Sequence, residues 1–224
     1  MPELLDLFCC EGGAGEGYRR AGFNITGIDK ERQTRYPGRF IHWDALEFVK
    51  KYGYRYDAFH ASPPCQPFSR SKHTHNKEYE DLLDPTREAL EATGKPYIIE
   101  NVYGAPMSNT VTLCGATFGL TAVDTDGTPL VLRRHRLFES NEWLWPAECE
   151  HLGYVDRGYK IAGVYGAGSR SQEAAKERGG GYTPSKEVAE QLLGIDWMSA
   201  HGLTQAIPPA YTEYLGKQLI EILS

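Results

Sequence analysis

Long apolar runs are missing from this chain. No stretch approaches the ~20 consecutive apolar residues that a membrane-crossing helix needs, and the start, Met1-Pro2-Glu3, lacks the basic and apolar regions of a secretory signal. No membrane attachment is expected, and a cytoplasmic location is. A surplus of positive charge is missing too, with 24 Lys and Arg against 30 Asp and Glu and a formal net charge of −6. This balance excludes binding to nucleic acid through a generally basic coat, while leaving room for a local basic cleft. Cysteine is sparse and irregular, five residues in all. An odd number without a framework fits free thiols in a reducing compartment. Cys9 and Cys10 are adjacent and cannot form a Cys-x-x-Cys pair. Cys149 and His151 offer two ligands, which make no site, so no metal is expected. Repeats and low-complexity tracts are absent.

What remains is 224 residues, 41% hydrophobic and 24% charged, enough for one full α/β domain with a sizeable core. The run Leu4 to Phe8 reads as a first strand entering a glycine turn, Cys10 to Gly17, where glycine permits positive φ and close approach of a ligand. Tyr18 to Ala21 begins a helix that Gly22 ends, and Asn24 to Ile28 is a second strand finishing at Asp29. Strand, glycine turn, helix, strand and acid is the order of a nucleotide-binding unit, with the acid about where a ribose-binding carboxylate stands. Phe40 to Asp44 is a third strand ending in an acid, followed by a helix over Ala45 to Tyr52.

A fourth strand, Asp57 to His60, delivers Ala61-Ser62-Pro63-Pro64-Cys65-Gln66-Pro67-Phe68-Ser69. Its prolines bar helix on both sides of the cysteine, so Cys65 is presented on a stiff loop rather than packed. The segment Arg70 to Lys77 is polar and cationic, and is expected to be a mobile loop, a candidate lid over a polyanion. Asp84-Pro85 caps a helix to Thr93. Lys95 to Val102 is a fifth strand with Glu100 at its carboxyl end, at an apolar edge where desolvation raises a carboxyl pKa. Cys65 and Glu100 therefore share the strand-end edge at which open parallel sheets bind ligands. Val111 to Leu120 and Leu130 to Phe138 read as two more strands. Alternation puts Arg134 and Arg136 on one face of the latter, suggesting an anion contact, and Arg133 with His135 on the other. Glu139 to Gly181 is expected to be irregular or a small insert. Thr183-Pro184 caps a helix through Leu193, and a last helix after Pro209 carries a packing stripe from Tyr211 to Ile222.

The ordered set resembles the cytosine-5 DNA methyltransferases. Asp6-Leu7-Phe8 with the glycine turn is similar to their opening motif, and Ser62 to Ser69 to their nucleophile loop. Glu100-Asn101-Val102 and Arg134-His135-Arg136 are similar to their glutamate and paired-arginine motifs. Thr183 to Asp196 resembles the helix after the target-recognition region, and Ile207-Pro208-Pro209 with Leu215-Gly216 the final motif. These six elements, in the family's order, cover most of the chain. The resemblance implies a Rossmann-like, doubly wound, mostly parallel α/β sheet, the fold of methyltransferases dependent on S-adenosylmethionine. It implies a catalytic and cofactor-binding core over 1–138, a small insert over 139–182 in place of a target-recognition domain, and C-terminal helices over 183–224 that complete the core.

The implied activity is methyl transfer to carbon 5 of cytosine in duplex DNA, with the base flipped out. Cys65 would attack carbon 6, Glu100 would bind nitrogen 3 and the amino group, and Arg134 and Arg136 would hold the ring carbonyl and a phosphate and favour the thiolate. S-adenosylmethionine would lie against Phe8, Cys10, Gly12, Gly13, Gly15, Asp29, Lys30, Asp44, Ala45, Pro63, Ala206 and Ile207. Within that set, Asp29 would take the ribose hydroxyls and Asp44 the adenine amine. Pro64, Gln66, Ser69, Arg70, Asn101 and Val102 would line the substrate. The chain departs from the family's pattern at Leu132, where a glutamine is usual, at Thr204-Gln205 in place of Gly-Asn, and in its short insert. The last resembles compact bacterial or phage members, and implies a short or degenerate target, read by a monomer or with a partner's help. An RNA (tRNA) cytosine-5 methyltransferase, a different one-carbon donor or free nucleotide, and a non-catalytic DNA-binding protein of the same fold are the alternatives.

Overall fold

The computed structural model of the chain describes residues 1–65, Phe68, 80–166 and 182–224. Gln66, Pro67, Ser69, the cationic loop Arg70 to Lys77 and the glycines at 179 to 181 lie outside the described residues. The first half alternates strand and helix: β1 (Glu3–Leu7), α1 (Gly13–Ala21), β2 (Asn24–Asp29), β3 (Arg39–His42), α2 (Ala45–Tyr52), β4 (Ala58–Ala61), α3 (Leu83–Glu91) and β5 (Tyr97–Asn101). The second half runs β6 (Val111–Leu113), β7 (Thr121–Val123), β8 (Pro129–Leu132), β9 (Arg136–Ser140), α4 (His151–Asp156), β10 (Lys160–Ala162), α5 (Lys186–Leu193), α6 (Ala200–Gln205) and α7 (Pro209–Leu223).

A seven-stranded sheet has the order β3-β2-β1-β4-β5-β9-β6, parallel from β3 to β5 and antiparallel where β9 joins. Alternation along each strand loads both faces. Leu5 and Leu7 of β1 and Ile99 of β5 pack with Phe48 of α2 and Leu90 of α3. Leu4 and Ile98 face the other way, with Tyr18 of α1 and Tyr211, Leu215 and Leu219 of α7. Helices on both faces make the fold doubly wound, as expected. Thr212 of α7 donates to the Ala14 carbonyl of α1 at 2.8 Å, locking those two helices together. A smaller sheet, β10-β8-β7, packs Leu130, Leu132 and Ala162 against Val188 and Leu192 of α5.

The long strand expected over Leu130 to Phe138 is two strands in two sheets. β8 belongs to the small sheet and β9 to the large one, and the chain changes sheets through Arg133 to His135. Val111 to Leu120 is likewise broken after Leu113, because a 3-10 turn over Gly115–Phe118 redirects it toward β7. β3 stops at His42, and Asp44 instead caps α2, its Oδ1 accepting the Glu47 N–H at 2.9 Å. α3 begins before Asp84-Pro85, with Asp81 accepting the Leu83 N–H at 3.0 Å. Ser185 rather than Thr183 caps α5, and α6 was not foreseen. β9 crosses position 138, and β10 pairs with β8, so the segment after 139 contributes strands to both sheets.

One buried bridge holds β9 against α3. Arg87 grips Glu139 through Nε at 2.5 Å and Nη2 at 3.0 Å, and Glu139 also accepts the Ser108 N–H at 2.8 Å. The glutamate side chain is 5% exposed. Glu139→Ala is expected to lower the unfolding free energy by about 3 kcal/mol, the usual cost of orphaning one member of a buried pair. A urea titration with an unchanged midpoint would contradict this.

Candidate active site

The sheet order reverses between β1 and β4, and at this switch point open α/β sheets leave a crevice beyond the strand ends. β1 runs into the glycine turn and β4 into Pro63-Pro64-Cys65, side by side: Leu7 pairs with Ala61, and the Ser62 N–H donates to the Leu7 carbonyl at 3.2 Å. Next along the edge, Glu100 and Asn101 close β5. Because β9 is antiparallel, its first residue, Arg136, arrives at the same edge, just past the pairing of Asn101 with Leu137. The structure thus brings Cys65, Glu100 and Arg136 together. The Asn101 side-chain amide donates to the Pro63 carbonyl at 3.2 Å, anchoring the cysteine loop to β5. Cys65 is half-buried rather than sealed in the core.

Glu100 is buried, and Arg136 Nε meets its Oε1 at 3.0 Å. Burial nevertheless pushes the Glu100 carboxyl above the ordinary range, outweighing Arg136, the Ser62 hydroxyl and Arg134, which favour the charged form. Burial likewise pushes the Cys65 thiol up, aided by Glu100, against the pull of Arg136 and Arg134. The expectation that the arginines favour the thiolate is thus met in sign but overridden by desolvation. The two arginines also part company. The Arg134 guanidinium is fully buried on main-chain carbonyls, at 2.6 Å from Val164 O, 2.7 Å from Thr204 O and 3.3 Å from Gly163 O. It joins the β10 exit to the end of α6, and Tyr211 binds its own carbonyl at 2.7 Å. Its hydrogen bonds are to backbone, whereas Arg136 pairs with the Glu100 carboxylate besides donating to the His135 carbonyl at 2.9 Å.

Behind Glu100 runs a chain of polar side chains that the sequence did not suggest. The Ser62 hydroxyl adjoins Glu100 and favours its charged form, His60 Nε2 lies 3.0 Å from Ser62 Oγ, and the Tyr18 hydroxyl 3.1 Å from His60 Nδ1. His60 is fully buried, and desolvation pulls it down to about 3, so the imidazole is neutral. A neutral imidazole lets the chain run either way. With Glu100 ionised, hydroxyls and imidazole N–H point toward it. With Glu100 protonated, its O–H donates to Ser62 and the order reverses. The one available signal was an ionisable residue in the otherwise apolar strand Ala58-Phe59-His60-Ala61.

On the glycine side, Phe8 and Cys10 adopt φ of 56° and 45°, uncommon values for non-glycine residues and a mark of a constrained turn. Asp29 accepts the Cys10 N–H at 3.0 Å and the Glu31 N–H at 2.8 Å, tying the ends of β1 and β2. Each oxygen keeps lone-pair capacity for a further donor. Part of the glycine pattern serves the protein itself. A Cβ on Gly15 would lie 2.6 Å from the Tyr36 hydroxyl, and one on Gly27 2.4 Å from the Tyr36 ring. That tyrosine hydroxyl donates to Asp6 at 3.3 Å, and burial pushes Asp6 up to about 7. Gly12 provides a left-handed turn at φ 89°, and Gly13 packs on the backbone of buried Ile207, beside Ala206. Pro63 and Ala45 are buried, Pro64 and Val102 half-buried, and Lys30 and Asp44 exposed at the β2 and β3 ends.

This edge and the helices on both faces form the S-adenosylmethionine-dependent methyltransferase fold. A prophage-encoded protein of E. coli, described as a DNA modification methyltransferase, superposes with TM-score 0.62 at 13% identity, over 100% of this chain and 99% of its own. The S. pombe Dnmt2 methyltransferase superposes at 0.59 with 14% identity over 100% of both chains. EhMeth, a methyltransferase of Entamoeba histolytica, does so at 0.55 with 12% identity over 100% and 99%. Such low identities establish the fold. Among curated proteins, no sequence matches the chain. Residues 3–111, just under half of the chain, match the family model for C-5 cytosine-specific DNA methylase.

The neutral His60 makes a testable contribution to stability. Below pH ~6.5 the unfolded histidine gains a proton that the folded one refuses until about 3, so stability is lost as pH falls through this window. In His60→Gln, the slope of unfolding free energy against pH across that window should fall by about 1.4 kcal/mol per pH unit. Parallel wild-type and variant curves would contradict a buried neutral imidazole.

Proposed function

We propose that the chain methylates carbon 5 of cytosine in DNA, using S-adenosylmethionine and a covalent adduct of Cys65 at carbon 6 of a flipped-out base. The observation that carries this reading is the buried Glu100–Arg136 pair acting on the Cys65 thiol at the switch-point edge. Carbon 5 of cytosine is a poor nucleophile because the ring is aromatic. Addition of the Cys65 thiolate at carbon 6 breaks that aromaticity and makes carbon 5 an enamine carbon. Charge gathers on the ring at nitrogen 3, where a carboxyl that retains its proton donates it or shares it. Glu100 is suited to that role because burial favours its protonated form, while Arg136 holds one oxygen and orients the other. Loss of the carbon 5 proton after methylation expels the thiolate and restores the ring.

The sulfonium cofactor supplies the methyl group. Its fit rests on the donor set at the ends of β1 to β3: the Phe8 and Cys10 turn, Asp29 with lone pairs in reserve for ribose hydroxyls, and Lys30 and Asp44 beside it. Ala206 and Ile207 close the far side of the glycine turn through Gly13. Asp44 also caps α2, so an adenine contact would use its second oxygen. Arg134 serves as a positioning residue, holding the Arg136 segment to α6 and α7. Pro64, Asn101 and Val102 line the base, and Gln66, Ser69 and Arg70 belong to the same reading from the sequence alone. DNA is favoured over RNA by the description of the matched family.

Bisulfite sequencing of DNA from cells expressing the protein should reveal methylated cytosines in a defined context, and none with Cys65→Ser. In labelled-donor assays Glu100→Gln should reduce turnover about 100-fold or more. Label entering tRNA and sparing duplex DNA would overturn the substrate assignment, and a Cys65→Ser protein of near wild-type rate would overturn the chemistry.

A further inference from the structure

We propose that Cys114, His135, Cys149 and His151 form a structural zinc site. Their four ligand atoms, one from each side chain, lie within 4.8 Å of one another. Cys149 Sγ is 3.2 Å from His135 Nε2 and 2.8 Å from His151 Nδ1, and the two imidazole rings stand at 5.4 Å and 74°. A tetrahedral zinc with bonds of about 2.3 Å to sulfur and 2.0–2.1 Å to nitrogen holds its donor atoms roughly 3.3–3.8 Å apart. Small side-chain adjustments would meet that spacing. Two thiolates and two neutral imidazoles give a complex of zero net charge, suited to a site that runs from buried Cys114 to exposed Cys149. Binding would release the two thiol protons.

The ligands come from three separate places: the end of β6, the sheet-changing segment between β8 and β9, and the approach to α4 with its first turn. The helix that the metal would hold, α4, is lightly packed. α4 has no buried residue, and residues 143–150 before it have no regular secondary structure. Beneath α4 lies a small apolar group of Cys114, Ala116 and Val131, with Tyr154, Tyr159 and Ile161 at its margin, while buried Leu144 ties the start of the preceding stretch to the main core. Trp143, Trp145 and Leu152 remain exposed. A metal staple compensates for so small a core. His135 is the residue between Arg134 and Arg136, so the same ion would fix the backbone that carries Arg136 to Glu100.

The test is metal content, independent of methyl transfer. Protein purified without chelator from zinc-supplemented cells should hold one zinc per chain. After cobalt exchange it should show tetrahedral visible bands with thiolate charge transfer in the near ultraviolet. Cys149→Ser and His151→Ala should lose the metal, whereas Cys149→His, which keeps a donor at the exposed position, and His201→Ala, outside the cluster, should retain it. Because these variants could be lost to misfolding, chelation of the wild type gives a second reading: amide protection over residues 143–159 should fall. Wild-type protein with neither zinc nor a tetrahedral cobalt spectrum, or a Cys149→Ser protein that keeps both, would overturn the proposal.

Discussion

A carboxyl group out of water beside a guanidinium is the constraint on which the site depends. Glu100 sits at the end of β5 with the main-chain neighbours of two sheet strands around it, and Arg136 meets it at 3.0 Å. Burying an ion pair costs several kcal/mol per ion before the attraction returns it. Here the balance leaves the carboxyl pKa above its ordinary value even with the cation present. A carboxyl whose protonated form is favoured by burial donates more readily to a ring nitrogen than an exposed glutamate does. The polar chain through Ser62, His60 and Tyr18 accommodates the group in either protonation state, because every member of it can reverse its hydrogen bond.

Topology makes that constraint possible. The parallel strands β1, β4 and β5 all end at one edge, which aligns the glycine turn, the cysteine loop and Glu100. No parallel strand could have brought Arg136 there from the beginning of its run. The antiparallel insertion of β9 does so, and the Arg87–Glu139 bridge on the same strand fixes it against α3. Arg134, two residues before Arg136, holds the carbonyls of residues 163, 164 and 204 with its guanidinium, and so determines where the β8–β9 segment lies.

Those parts of the site that depend on local pattern were legible in the sequence. Prolines around Cys65, the acids ending β2 and β5, and the glycine turn each impose their conformation within a few residues. Features made by distant partners were not legible. Alternation placed Arg134 and Arg136 on one face of a single strand, yet it could not show that the chain leaves one sheet for another between Leu132 and Arg136 and that the two guanidiniums part there. The glycine turn suggests room for a ligand, yet Gly15 admits Tyr36, as Gly27 of β2 does, because a glycine records a close approach without recording of what. His60 gave a faint signal, since a buried imidazole needs partners that only the folded chain supplies. Cys114 and His135 are not near Cys149-Glu150-His151 in sequence, so the ligand cluster appears only once β6 and β9 lie side by side.

The most direct test of covalent attack by Cys65 uses duplex DNA with 5-fluorocytosine at the methylated position, incubated with the protein and S-adenosylmethionine. Fluorine cannot leave as a proton does, so the adduct should persist through denaturation, and digestion should place it on the peptide bearing Cys65. Efficient methylation of ordinary cytosine with no trapped adduct, or an adduct mapped to Cys10, would contradict the account.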